Sequence, residues 1–114
     1  MNIERGDILF ASLNPVVGAE QAGVRPVWVV QNDQANKFIP TVTVVPLTSN
    51  LRASRFSFTV LISATQSGLP QDSVVLAFQI RTLDKSRLIR KAGHLNVDQM
   101  AAIDRALNIH LDLR

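Results

Sequence analysis

The chain contains no cysteine and no tyrosine, a single tryptophan, and three lysines against nine arginines in 114 residues. Without thiols there are no disulfides, no thiolate metal ligands and no cysteine nucleophile, a composition that suits a reducing compartment. The two histidines, His94 and His110, have no second histidine or carboxylate at metal-ligand spacing, so neither is expected to hold a metal. Asp7, Glu20, Asp33, Asp72 and Asp84 are each isolated along the chain, which argues against two-carboxylate or two-metal chemistry. Neither G-x-x-x-x-G-K-S/T nor G-x-G-x-x-G occurs, so nucleotide hydrolysis and dinucleotide binding lack their phosphate cradles.

Long apolar runs are also missing. The longest charge-free stretch, Phe56 to Gln71, is sixteen residues and includes Ser, Thr, Gln, Gly and Pro, short of the roughly 20 apolar residues that span a bilayer. Glu4, Arg5 and Asp7 occupy the start of the chain with no apolar signal-peptide core behind them. A cytoplasmic location without membrane attachment is therefore expected. Residues 1–114 have room for one domain, which at this size buries about 60 to 70% of the surface its unfolded chain exposes. The hydrophobic fraction of 46% and charged fraction of 18% are those of a folded protein. Net charge is +3, and the arginine excess supplies planar forks that grip phosphate or carboxylate bidentately. An anionic partner follows.

Strand signals dominate the chain. Ile8–Ala11, Val27–Gln31, Thr41–Val45, Phe56–Ile62 and Ser73–Gln79 are short, rich in β-branched and aromatic residues, and separated by Pro, Gly, Asn or Asp. Arg87–Arg90 reads as one further short strand. Val27 to Val30 is apolar throughout and should be buried on both faces, whereas Thr41–Val44 and Phe56–Val60 alternate. Near the C-terminus the period changes. Asn96 is an N-cap with Gln99 completing a capping box, Leu95 and Met100 stand where a hydrophobic staple joins, and Met100, Ile103 and Leu107 continue a core stripe. The tail 109–114 alternates apolar and polar residues and is compatible with a strand, a frayed helix end or a partner-facing segment. A small, strongly bent barrel with a terminal helix fits these elements.

The most informative stretch is Gly18-Ala19-Glu20-Gln21-Ala22-Gly23-Val24-Arg25-Pro26, which sets acid, amide and arginine in a turn-forming loop ahead of the apolar run. Pro26 biases Arg25 toward an extended conformation. Together with Arg5-Gly6-Asp7, Pro46-Leu47-Thr48-Ser49 and the segment Gln79-Ile80-Arg81-Thr82-Leu83-Asp84-Lys85-Ser86-Arg87-Leu88, it resembles the MazF/PemK family of toxin endoribonucleases nearly end to end. That resemblance implies a mainly β fold, a small SH3-like barrel of the CcdB/PemK toxin type with a C-terminal α-helix. It also implies a homodimer and a cognate antitoxin whose extended inhibitory tail blocks the substrate grooves. The implied activity is the toxin's of a type II toxin-antitoxin system: metal-independent, sequence-selective cleavage of single-stranded RNA, with no cofactor.

Such cleavage uses the substrate's own 2′-hydroxyl, so the protein need only align the attack, neutralise the phosphorane and move protons. By the resemblance Arg25 and Thr48 form the catalytic pair. A guanidinium is a poor base at neutral pH, so Arg25 is read as electrostatic stabiliser and proton donor, with Glu20 as base or as the partner that orients it. Gln21, Ser49, Asn50, Arg52 and Arg55 are candidate RNA contacts, the last four in a polar, basic loop beside Thr48, which otherwise is a solvated connection. Gln79 and Arg81 are candidates for framing the groove. The bland readings are a salt bridge from Arg25 to Glu20 or Asp7, a capping hydroxyl at Thr48, and core positions for Trp28, Phe56 and Phe58. Ala19 and Phe78 depart from the family pattern and bear on the cleavage sequence. The competing function is a binding protein on the same fold, either a CcdB-like gyrase inhibitor or a catalytically degenerate relative.

Overall fold

The computed structural model describes residues 1–113. In chain order the elements are β1 (Asp7–Ser12), β2 (Val24–Val29), α1 (Asp33–Phe38), β3 (Thr41–Thr48), β4 (Thr59–Ile62), α2 (Ala64–Ser67), β5 (Ser73–Leu76), β6 (Arg81–Asp84), β7 (Leu88–His94) and α3 (Val97–His110). Short 3₁₀ turns at Leu51–Arg55, Ala77–Gln79 and Lys85–Arg87 complete the connections. The strands form one antiparallel sheet of seven, in the order β4-β5-β3-β2-β1-β7, with β6 also on β3. β3 makes this possible by bending. Its first half pairs with β6 through Thr41–Val44, and its last two residues, Leu47 and Thr48, pair with β5. The expected mainly β fold with a C-terminal helix is present, but the sheet is not closed: β4 and β7 end the path.

Both faces of the sheet are buried, as the continuous apolar run at Val27 to Val30 requires. Ile8, Trp28, Val45 and Leu47 turn to one side and meet Leu95, Ile103 and Leu107 of the C-terminal segment. Leu9, Val27, Val29, Val42 and Val44 turn to the other and close over Ile3, Leu13 and Leu83. β1, β2 and β3 thus each carry two cores at alternate positions. Asn96 and Gln99 form the expected reciprocal cap, each backbone amide donating to the other's side-chain oxygen at 3.0 Å. Leu95 and Met100 join the same core cluster. The tail resolves as the helix end: α3 runs to His110, and the Leu111 amide donates to the Leu107 carbonyl at 2.8 Å. Arg114 lies outside the described residues.

Several boundaries differ from the sequence expectation. The strand expected at Phe56–Ile62 starts only at Thr59, because Phe58 adopts a positive φ of 67° that no strand accommodates. That expected at Ser73–Gln79 ends at Leu76 and winds into a 3₁₀ turn. α1 and α2 were not legible as helices, being six and four residues long. The loop at Ser49–Arg55 is not a plain connection either; Leu51–Arg55 is a 3₁₀ turn capped by Asn50, whose side chain accepts from the Arg52 amide at 3.2 Å.

Arg5-Gly6-Asp7 proves to be a structural junction. Arg5 donates through Nε to the Val30 carbonyl at 3.0 Å, pairs with Asp104 of α3, and lies 5.6 Å from the Trp28 ring centroid. Asp7 is buried, and a carboxylate only accepts, so His94 Nδ1 (2.8 Å), Lys91 Nζ (3.2 Å) and the Glu4 amide (2.9 Å) all donate to it. Burial alone raises the Asp7 pKa, but the hydrogen bonds from His94, Glu4 and Lys91 outweigh it and hold the group below its ordinary 3.8. A depressed carboxyl pKa stabilises the fold above the unfolded value, and that contribution is lost as pH falls through the folded one. Asp7→Asn is expected to cost about 1–3 kcal/mol at neutral pH. The gap to wild type should close on acidification below about pH 4. Thermal melts of both proteins across pH check this; a gap independent of pH would refute it.

Candidate functional site

The open ends of β2 and β3 carry the site. The two strands pair antiparallel with Val27 opposite Pro46 and Trp28 opposite Val45. The pairing ends at Val27 and Pro46, and Arg25 near the start of β2 and Thr48 at the end of β3 lie just beyond it at neighbouring strand ends, Arg25 paired with Ala11 and Thr48 with Val74. Gly23, at a positive φ of 79°, turns the loop into β2 just before Arg25. Arg25 itself is exposed, and its Nε donates to the Ala22 carbonyl at 3.0 Å. One edge of the fork is thereby fixed while the terminal nitrogens face outward, making no ion pair among the described residues. Neither Glu20 nor Asp7 meets it. Glu20 instead accepts from the Val17 amide within its own loop, and Asp7 serves the His94 junction.

Thr48 is buried to 7% exposure at the end of β3, and its Oγ1 accepts from the Asn50 amide at 3.2 Å. The capping role is therefore real, yet the hydroxyl proton remains available to a ligand. Thr48 forms the floor of a groove of about 430 Å³ that also contains Gln21, Asn50, Arg52, Arg55 and Gln79. Gln79 closes one end by accepting from the Gln21 amide at 2.9 Å, with its Nε2 3.4 Å from the Ala19 carbonyl. Aromatic surface enters the same groove. Phe56 and Phe78 meet edge to face at 6.1 Å, and the Arg55 guanidinium lies 5.0 Å from the Phe56 centroid. Phe56 is thus an exposed groove residue, whereas Trp28 is fully buried in the core.

Four candidates stand apart from this groove: Arg25, Glu20, Arg81 and Ser49. Arg81 is not among its lining, and its Nη1 lies 3.4 Å from the Leu13 carbonyl, where it braces the end of β1. Ser49 turns away from Thr48, as strand alternation demands, and with Arg25 lines a second cleft of about 300 Å³. Sequence reasoning missed that second cleft. Its far wall, Leu69-Pro70-Gln71, is a Pro-containing turn inside the long charge-free stretch, a signal visible but without a partner until the fold brings Phe10 and Pro26 to face it. Among the described residues no group of three or more His, Asp or Glu is placed to hold a metal ion, and no helix is long and apolar enough to cross a membrane.

A small two-core sheet ending in a cationic, aromatic-lined groove defines a protein that engages a flexible polyanion. Residues 4–111 match the family described as PemK-like, MazF-like toxin of type II toxin-antitoxin system, and the chain belongs to that family. It is 48% identical over 113 residues to endoribonuclease EndoA of Bacillus subtilis, covering 99% of this chain and 97% of that protein. Among solved structures, MazF from Deinococcus radiodurans superposes with a TM-score of 0.84 at 27% identity, covering 98% of each chain. A mycobacterial endoribonuclease in complex with its cognate antitoxin gives 0.81 at 26% identity, covering 98% of this chain and 97% of that one.

Proposed function

We propose that this toxin is a metal-independent, sequence-selective endoribonuclease that cuts single-stranded RNA in the cytoplasm, residues 1–114 acting as one domain. The carrying observation is the exposed Arg25 fork, fixed by the Ala22 carbonyl at the start of β2 and lining a cleft with Ser49, next in sequence to the Thr48 that lines the basic groove. In the reaction the 2′-oxygen attacks phosphorus, the bond to the 5′-oxygen breaks, and the products carry a 2′,3′-cyclic phosphate and a 5′-hydroxyl. Arg25 holds the non-bridging oxygens as charge builds on the phosphorane and supplies a proton toward the leaving oxygen. Thr48 donates a hydrogen bond to the same centre. Glu20 is assigned as base or as the group that orients Arg25; its bond to the Val17 amide means that its loop must release it for either role. Arg52 and Arg55 hold flanking phosphates, while Gln21, Ser49, Asn50 and Gln79 reach base edges or backbone.

The active form is proposed to be a homodimer. Phe58, Leu61, Ile109 and Leu113 are large apolar side chains left exposed, and Phe58 packs 5.6 Å from His110 across the α3 end. A patch of this kind in a protein of this size marks an interaction surface. The basic groove fits the extended tail of a cognate antitoxin as well as RNA, which is why one excludes the other.

Incubation with mixed-sequence single-stranded RNA in EDTA should yield discrete cuts ending in 2′,3′-cyclic phosphate, weakening steeply as salt rises. Light scattering of the same sample should give twice the mass of the chain. Intact RNA would favour a gyrase-directed or catalytically degenerate relative, and a monomer mass would overturn the dimer.

A further inference from the structure

The second cleft is lined by Arg25 and Ser49, but its remaining walls have no role in the chemistry above, and Thr48 is not among its lining. Its walls are flat and apolar: Phe10 and Pro26 on one side, Pro70 on the other, over a floor of Leu47 and Leu69. The Pro70 wall is held in place from several directions. Asp72 accepts from the Ala64 amide at 2.8 Å, Ser67 Oγ accepts from the Leu69 amide at 3.1 Å, and Ser73 Oγ donates to the Gln71 carbonyl at 3.2 Å. At the mouth the exposed Gln71 carboxamide has no hydrogen-bond partner among the described residues. A largely apolar slot whose polar lining, Arg25, Ser49, Gln71 and Ser73, includes one unengaged carboxamide suits a flat, polar-edged ring.

We propose that this cleft receives one unpaired nucleobase of the RNA strand, that of a nucleotide adjoining the scissile phosphate, and that Gln71 reads its edge. The inference rests on the endoribonuclease reading of the Arg25 site and deepens it by naming a residue that sets sequence choice. Continuity carries it. Arg25 lines this cleft beside Ser49, whose neighbour Thr48 lines the groove, so a strand with its phosphate on Arg25 has one adjoining base at this cleft and continues into the groove. The base stacks between Phe10 and the prolines, as unpaired RNA bases do on apolar side chains. Arg90, whose guanidinium lies 4.2 Å from the Phe10 ring centroid, brings a second cation to the backbone of the same nucleotide. A carboxamide offers a donor and an acceptor side by side, the pattern a base edge matches bidentately.

The test uses the full chain and a randomised single-stranded RNA pool, with cut ends sequenced for wild type, Gln71→Ala and Arg25→Ala. Gln71→Ala should keep its melting temperature and keep cutting, while its preference at a single position within about two nucleotides of the cut relaxes by about tenfold or more. An abasic residue at that position should slow both proteins through the lost stacking, and the wild type by a larger factor than the variant because it also loses the Gln71 contact. Unchanged preferences at every position in Gln71→Ala would overturn the proposal, even if antitoxin binding weakened. Absence of cutting by the wild type would overturn the nuclease reading and this inference together, whereas cutting by Arg25→Ala with relaxed choice in Gln71→Ala would overturn the Arg25 assignment alone.

Discussion

Arg25→Ala should lower RNA cleavage by about a thousandfold in kcat/KM while leaving the fold and the affinity for an antitoxin intact. The fold is spared because Arg25 is exposed, belongs to neither core cluster, and its side chain makes one hydrogen bond, to the Ala22 carbonyl, among the described residues. Chemistry is not spared, because the group removed is the charge assigned to the phosphorane, whereas Arg52 and Arg55 of the Thr48 groove are assigned to flanking phosphates. Binding of RNA should fall much less, since Arg52 and Arg55 retain their phosphate contacts and one lost contact reduces the salt slope by about one. Arg25→Lys is the sharper comparison. It keeps the charge, but a point ammonium cannot hold the Ala22 carbonyl through one nitrogen and span two phosphate oxygens with others, so about a hundredfold loss should remain. Cleavage within tenfold of wild type in the alanine variant would remove Arg25 from the mechanism.

A second large effect is expected far from any reacting atom, at Gly93. An added Cβ there would stand 2.1 Å from the Ser67 carbonyl oxygen, well inside contact distance, and the obstruction is backbone. The approach is mutual, because a Cβ on Gly68 would stand 2.6 Å from the Ala92 carbonyl oxygen. The end of α2 and the strand β7 therefore touch main chain to main chain, and only paired glycines permit it. Gly93→Ala must push α2 away and should cost about 2–3 kcal/mol, lowering the melting temperature by about 10 °C. Gly18→Ala is the control: nothing lies within 4 Å of its Cβ position, so only the positive φ of 59° opposes it, at about 1 kcal/mol. Equal losses at the two sites would contradict the close approach. Displacing α2 also shifts Leu69 and Pro70, so the Gly93 variant should lose sequence selectivity along with stability.

The motifs that identified the family divide, in the structure, between fold and chemistry. Arg5-Gly6-Asp7 reads in sequence like a polar loop with functional charge, yet each member is spent on the junction between the N-terminus, β7 and α3. Arg81, from the most specific segment, braces the Leu13 carbonyl. By contrast Thr48, Asn50, Arg52 and Gln79 gather in one groove, and Arg25 lines the cleft next to it. Nothing in their types separates the two groups, because an arginine in a turn is as ready to cap a carbonyl as to meet a phosphate. Only its distance from the neighbouring carbonyls decides.

What the sequence determined by itself was local: strand-forming runs, the doubly buried Val27–Val29 segment, the capped helix start at Asn96, and the absence of thiols and metal-ligand spacing. These follow from side-chain period and backbone preference, which act over a few residues. The tertiary structure alone decided what depends on long-range register. It bent β3 so that Leu47 and Thr48 leave β6's line and pair with β5, left the sheet open, and brought Arg25 and Thr48 to neighbouring strand ends. It also carried Leu69-Pro70-Gln71 across to Phe10 and Pro26, making a cleft from residues some sixty positions apart. Alternation tells which residues share a face of a strand, but which strand comes next, and at what offset, is fixed only when two cores are packed at once.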